Sequence, residues 1–140
     1  MSAVYHHLHP QVQKWIFKQG WSDLREIQKR AIQPILAGDC DVLISASTAA
    51  GKTEAFFLPA CSAIADTTEG FGILYISPLK ALINDQYRRL EGLCEMLDMQ
   101  LTPWHGDSAQ SKKRAARKSP SGILLITPES LESLLVRDSG

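Results

Sequence analysis

Short apolar runs alternating with longer helical segments constrain this chain more than any other feature. From residue 41 the pattern predicts a strand over 41–46, a helix over 52–65, a strand over 72–76, a helix over 78–97, a strand over 101–104, a helix over 108–118, a strand over 122–126 and a helix from 128. Strands separated by helices pair in parallel, because each crossover returns the chain to the same end of the sheet. The expected fold class is therefore α/β, an open, mostly parallel sheet with helices on both faces in three α/β/α layers. Ligands of such sheets bind beyond the carboxyl ends of the strands. Two further helices, over 10–19 and 25–37, precede the alternation, and Gly38 is a plausible stop for the second.

Between the first apolar run, Asp41-Val-Leu-Ile-Ser45, and the helix that follows lies Ala46-Ser-Thr-Ala-Ala-Gly-Lys-Thr53. Strand, loop and helix in that order are the context of a phosphate-binding loop. Backbone N–H groups and the helix N-terminus would surround phosphates, the Lys52 ammonium would reach the β and γ phosphates, and the Thr53 hydroxyl would bind magnesium. Lys52 and Thr53 are thus the candidate catalytic residues and Thr53 the candidate metal ligand. Ala46, Ser47, Thr48, Ala49, Ala50, Gly51 and Glu54 complete the candidate nucleotide cradle. Ala46 stands where such loops usually begin with glycine, and any of these alanines held at positive φ would cost roughly 1 kcal/mol. A capped turn at a helix start accounts for Gly-Lys-Thr as well. Pro59 is expected to end or kink the helix it lies in.

Two helix starts repeat one device: Ser77-Pro78 follows Gly72-Ile-Leu-Tyr-Ile76, and Thr127-Pro128 follows Gly122-Ile-Leu-Leu-Ile126. A hydroxyl N-cap before proline at the first helical position leaves a positive dipole end facing outward, suited to backbone phosphates; ordinary capping explains the same residues. Lys112, Lys113, Arg114, Arg117 and Lys118 concentrate positive charge on one predicted helix. Attraction of a phosphate backbone and plain solvation account for that run equally well.

Fifteen basic and fifteen acidic residues cancel, so no global charge announces a nucleic acid or a membrane. Three cysteines at wide spacing fit neither a zinc site nor a disulfide framework and suggest reduced thiols in a cytoplasmic protein. No apolar run is long enough to cross a bilayer, so no membrane partner is expected. His6, His7 and His9 read as a solvated terminus.

Taken together the motifs resemble the first RecA-like domain of superfamily 2 DEAD/DEAH-type helicases, with wording closest to the Lhr-like members. Gly20-Trp-Ser-Asp-Leu-Arg-Glu-Ile-Gln28 looks like the Q-motif region, Ala46 to Thr53 like motif I, Ser77 to Gln86 like motif Ia, Trp104-His-Gly-Asp107 like the GG-type motif and Thr127-Pro-Glu-Ser130 like motif Ib. The resemblance implies that residues 1–38 form an N-terminal helical Q-motif region and 39–140 a partial RecA-like ATP-binding domain. It implies that Gln28 reads the adenine edge with Trp21 stacked nearby, and that ATP and magnesium are the cofactors. Pro78, Leu79, Lys80, Gly106, Asp107, Thr127, Pro128 and Glu129 would hold a strand of DNA, or of RNA. Leu24-Arg25-Glu26 stands where the family has Pro-Thr, which puts the detail of base recognition in question.

Hydrolysis needs one carboxylate for magnesium and another for the attacking water. These 140 residues offer no such pair, since Glu129 sits inside a helix start. The expected function is therefore ATP and nucleic-acid binding within an ATP-dependent helicase, with turnover dependent on a C-terminal part of the motor supplied in cis or in trans. A non-hydrolysing nucleotide sensor or accessory module is the alternative, and a small P-loop kinase a remote third. Without the strand that lies beside motif I in the family, the four expected strands would have a gap or an unpaired edge, giving self-association or weak protection around 41–46.

Overall fold

A computed structural model describes residues 3–47, 51–67 and 69–137. The chain forms two compact units, Met1–Asp66 and Thr67–Gly140.

The first unit is helical. A 3₁₀ turn, Ala3–His7, leads to α1 (Pro10–Lys18), α2 (Glu26–Ala37) and α3 (Lys52–Ile64). Proline at its first position and the His9 side chain, which accepts the Gln11 N–H at 3.1 Å, start α1. His9 is therefore no part of a solvated terminus: its own N–H donates to Ser62 Oγ at 3.0 Å and its Nε2 lies 3.3 Å from Asp66 Oδ1, while His6 and His7 are exposed. Val12 and Ile16, one turn apart, are the buried residues of α1; Gln28, Ala31 and Ile32 are those of α2, which ends at Gly38 in the left-handed conformation, as expected.

Helix α3 runs through Pro59 instead of stopping there. An internal proline costs about 3 kcal/mol, but this one lies in a turn that buries Phe57, Leu58 and Cys61, each worth roughly 1.5–3 kcal/mol for the larger side chains. Burial outweighs the missing bond. The expected strand over 41–46 is a correction: residues 41–47 have no strand pairing, and Leu43 is 95% exposed. A strand exists only through a ladder partner, and among the described residues this segment has none.

The second unit holds β1 (Gly70–Ile76), α4 (Lys80–Met96), β2 (Leu101–Trp104), α5 (Gln110–Lys118), β3 (Ser121–Ile126) and α6 (Pro128–Arg137). Its sheet is wholly parallel, in the order β1-β3-β2, with Ile76 and Trp104 both opposite Ile126. Helix α4 crosses two places in one direction and α5 one place back. Since both crossovers are right-handed by rule, the two helices cover opposite faces, which gives the α/β/α layering expected. On the α5 face Trp104, Ala116, Leu124 and Ile126 form a buried cluster completed by Phe71, Leu131 and Leu134. Ile83, Leu90, Leu93 and Cys94 are the apolar residues that α4 buries, and it packs on β2 and β3. Connections leave adjacent β1 and β3 toward opposite faces, so a crevice opens beyond their carboxyl ends.

Candidate functional site

That crevice is a groove of about 410 Å³ lined by Pro78, Lys80, Gly106, Thr127, Glu129, Ser130 and Ser133. Its walls come from three loops that the ladder continues to bind: the Ser77 N–H donates to the Ile126 carbonyl at 3.1 Å, and the Thr127 N–H to the Trp104 carbonyl at 3.2 Å. Five of the eight residues expected to hold a strand therefore meet. Leu79, Asp107 and Pro128 do not line the groove. Ser130 and Ser133 do, unanticipated, although a hydroxyl three residues after an N-cap is a readable signal.

Thr127 caps α6 as expected. Its Oγ1 accepts the Ser130 N–H at 3.4 Å and donates to Ser130 Oγ at 2.9 Å, with Pro128 the first helical residue. The matching expectation at Ser77-Pro78 needs correction. Helix α4 begins two residues later, with Leu79 as an extended N-cap lacking a side-chain bond, and Ser77 Oγ accepts the Leu79 N–H at a long 3.5 Å. Pro78 is thus freed from the helix to form groove wall.

Lys80 Nζ lies 3.1 Å from Asp107 Oδ2, and a Cβ built on Gly106 would stand 3.5 Å from that ammonium. That is ordinary van der Waals contact, so the ammonium lies against the Gly106 backbone without crowding it. Asp107 is Lys80's counter-ion, and the hydrogen bond and charge of Lys80 hold its carboxyl below the ordinary range. Both side chains are largely exposed, so the pair contributes little to stability and yields readily to a competing anion.

His105, buried, sets the loop. Its Nδ1 accepts the Asp107 N–H at 3.1 Å and its Nε2 lies 3.1 Å from Asn84 Oδ1, which places the proton on Nε2. Its own N–H donates to Ser108 Oγ at 3.0 Å. Burial, then the charges of Lys80 and Lys113, lower its proton affinity below the ordinary 6.5, against an opposing pull from Asp107. A depressed value means that the unfolded chain takes the proton first. The stability is fully present above 6.5 and lost as pH falls through the folded value. Urea midpoints should accordingly fall between about pH 7.5 and pH 5, and a His105→Gln chain should lack that part of the slope. Equal slopes in both chains would refute it.

The nucleotide candidates lie in the first unit. Thr48, Ala49 and Ala50 are outside the described residues. Gly51 caps α3 at φ 80°, so the positive end of a 13-residue helix falls at Lys52, Thr53 and Glu54, all partly buried. Gln28, 4% exposed, ties α2 to this point: its Oε1 accepts the Arg25 N–H at 2.9 Å and its Nε2 donates to the Gly51 carbonyl at 3.3 Å. A Cβ on Gly51 would lie 2.5 Å from that Nε2. The glycine, the helix start and the Lys-Thr pair fit a triphosphate and its metal. The bonds to Arg25 and Gly51 use one of the two N–H groups and one of the two oxygen lone pairs of the Gln28 amide. Trp21 meets Trp15 edge to face at 5.6 Å. Ala46 is partly buried and Ser47 exposed, on the segment that forms no strand.

A parallel α/β unit with a groove at its strand ends, in a chain whose third helix opens on Gly-Lys-Thr, defines a RecA-like P-loop protein. The DEAD/DEAH box helicase family matches residues 25–140, and the chain belongs to that family. It is 35% identical to the ATP-dependent helicase Lhr-Core of Methanothermobacter thermautotrophicus, over 92% of this chain and 17% of that protein. The Lhr helicase of Mycobacterium smegmatis, solved with single-stranded DNA and AMP-PNP, superposes with a TM-score of 0.78 at 27% identity, over 96% of this chain and 18% of that one. The DEAD-box helicase Mss116, solved with single-stranded RNA and UDP-BeF, shares the fold at a TM-score of 0.82 and 23% identity, over 94% of this chain and 28% of that one. The chain thus spans under a fifth of the length of its Lhr relatives.

Proposed function

We propose that this chain binds ATP and a nucleic-acid single strand as part of an ATP-dependent helicase. The observation that carries the reading is the groove, where three separate loops bring Pro78, Lys80, Gly106 and Thr127 together at the strand ends. Backbone phosphate is the ligand such a groove suits: a lysine ammonium, a close glycine backbone and a capped helix N-terminus all favour an anion. The Lhr of M. smegmatis, bound to single-stranded DNA and AMP-PNP, supports the same assignment. Glu129 repels phosphate, so a strand would pass nearer Lys80 and Thr127 than the carboxylate.

For the nucleotide, Gly51, Lys52 and Thr53 would hold the phosphates and Gln28 the base, with the Thr53 hydroxyl on magnesium. When bound, magnesium neutralises phosphate charge. Because residues 41–47 pair with no strand among the described residues, the cradle is incompletely braced and nucleotide binding should be weak. Binding, not turnover, is what we assign to these residues, since no carboxylate pair for magnesium and water accompanies them. The remainder of the motor, in cis or in trans, would supply that pair.

Fluorescence anisotropy with a labelled oligothymidylate tests the groove. Lys80→Ala should raise Kd about fivefold at low salt and reduce the slope of log K against log salt by about 0.7, one single-strand phosphate contact. An unchanged Kd and slope would remove Lys80 from the interface and the reading with it.

A further inference from the structure

We propose that the basic face of α5 is a second phosphate-binding surface that carries a single strand onward from the groove. The inference rests on the groove reading above. Helix α5, Gln-Ser-Lys-Lys-Arg-Ala-Ala-Arg-Lys, contains no acidic residue, and Ala116 is its one buried position. In a chain of zero net charge this is a concentrated patch. None of Lys112, Lys113, Arg114 and Lys118 has an ion pair among the described residues.

Position distinguishes this run from a merely solvated face. Lys113 Nζ lies 5.6 Å and Arg117 Cζ 5.3 Å from the centre of the Trp104 ring. Cations over an aromatic face are held in place, so these two are fixed one turn apart along the helix. Trp104 ends β2, its carbonyl holds Thr127, and His105-Gly106 follows it directly, so the ring belongs to the strand end that builds the groove. The Lys113 charge reaches that rim, since it acts on both His105 and Asp107. Arg114 and Lys118 lie farther round the helix, exposed. On the opposite flank Lys112 donates to the Tyr87 hydroxyl at 2.6 Å. The result is a positive face along α5 whose charge reaches the Asp107 carboxylate that Lys80 pairs at the groove.

A polyanion that enters the groove would meet this face next. A membrane does not fit, because α5 has no large apolar residue to insert. Cations at the rim of a strand site add affinity in proportion to the phosphates they neutralise, whatever the sequence.

The test compares labelled oligothymidylates of about 6 and about 16 nucleotides, lengths within and beyond a single site. The full chain is used as wild type, as Lys113→Gln/Arg114→Gln/Lys118→Gln and as Lys80→Ala. The triple variant should bind the short strand as wild type does. On the long one it should lose about tenfold in affinity and about 2 units of salt slope, roughly 0.7 for each of three contacts. Arg114→Gln/Lys118→Gln, exposed and away from the Trp104 ring, should show a smaller loss in the same direction and guards against misfolding. Wild-type affinity and slope of the triple variant on the long strand would overturn the proposal. So would that result with lost binding to polyglutamate, which would assign the face to an acidic peptide. Failure of the groove reading is separate: it would appear as unchanged binding of the short strand by Lys80→Ala.

Discussion

Lys52→Ala is expected to abolish measurable ATP binding while leaving the urea midpoint in place, whereas Gly51→Ala should lose binding and stability together. Lys52 is the first residue of α3 and partly exposed, and alanine is the best helix former, so the fold should change by less than about 0.5 kcal/mol. What is lost is a charge-assisted contact to phosphate, about 1.5–3 kcal/mol, from a cradle already weak on its strand side. Gly51 differs because its carbonyl and conformation join the loop to α2. Its φ of 80° adds about 1–2 kcal/mol of strain for any Cβ. That Cβ would lie 2.5 Å from Gln28 Nε2 and 3.4 Å from Arg25 Cδ. Gln28 would have to leave, and its bonds to the Gly51 carbonyl and the Arg25 N–H are worth about 0.5–1.5 kcal/mol each. The sum, about 2–5 kcal/mol, is a large share of a typical stability of about 5–15 kcal/mol. Gly38→Ala is the control, with φ 67° and open space around its Cβ. If Gly51→Ala lowers the midpoint no more than Gly38→Ala, the Gln28 contact does not hold the loop.

Gln28 shows how much of such a site the sequence carries and where it stops. Its place in the Q-motif region was legible as a resemblance, whereas its bond to the Gly51 carbonyl was not, and the structure supplies it: a buried amide already half committed to backbone. The strands at 72–76, 101–104 and 122–126 were legible because apolar runs bounded by turns have few other uses, and each lies within an observed strand. Residues 41–46 carry the same apolar signal and form no strand, because pairing belongs to two segments and a sequence pattern describes one. The two hydroxyl-proline helix starts were indistinguishable on paper. Thr127 caps and Ser77 does not, since Leu79 takes an extended conformation that delays α4. His105 was visible only as part of a motif. Its role depends on Asn84, 21 residues away, which no local pattern reveals. For the groove, the loops could be named from sequence. Their convergence required the order β1-β3-β2, in which β3, last in sequence, lies between the other two.

That central strand carries the other large expected effect: Gly122→Ala should destabilise the second unit by about 2–5 kcal/mol and dismantle the groove with it. Gly122 has φ 72°, so alanine there bears the left-handed strain of about 1–2 kcal/mol that Gly51 also would. Here the obstruction is backbone. An added Cβ would collide with the Gln100 carbonyl, which accepts the Ile123 N–H at 2.9 Å. A side chain can rotate away, but this carbonyl can move only if that bond and the start of β2 move too. The shift would propagate along the paired register Leu101 with Ile123 through Trp104 with Ile126. Thr127 then loses the Trp104 carbonyl that fixes its N–H, and the cap of α6 separates from the loop bearing Gly106. Gly70→Ala separates strain from collision, since Gly70 has φ 73° with nothing within 4 Å of its Cβ. Urea unfolding of the two variants, with oligothymidylate binding of each, decides the matter. Gly70→Ala should lose about 1–2 kcal/mol and keep its strand affinity, because the groove's ladder is untouched. Equal losses of stability in the two variants would mean that the Gln100 carbonyl yields at little cost, and that the junction of β2 and β3 is softer than its hydrogen bonds suggest.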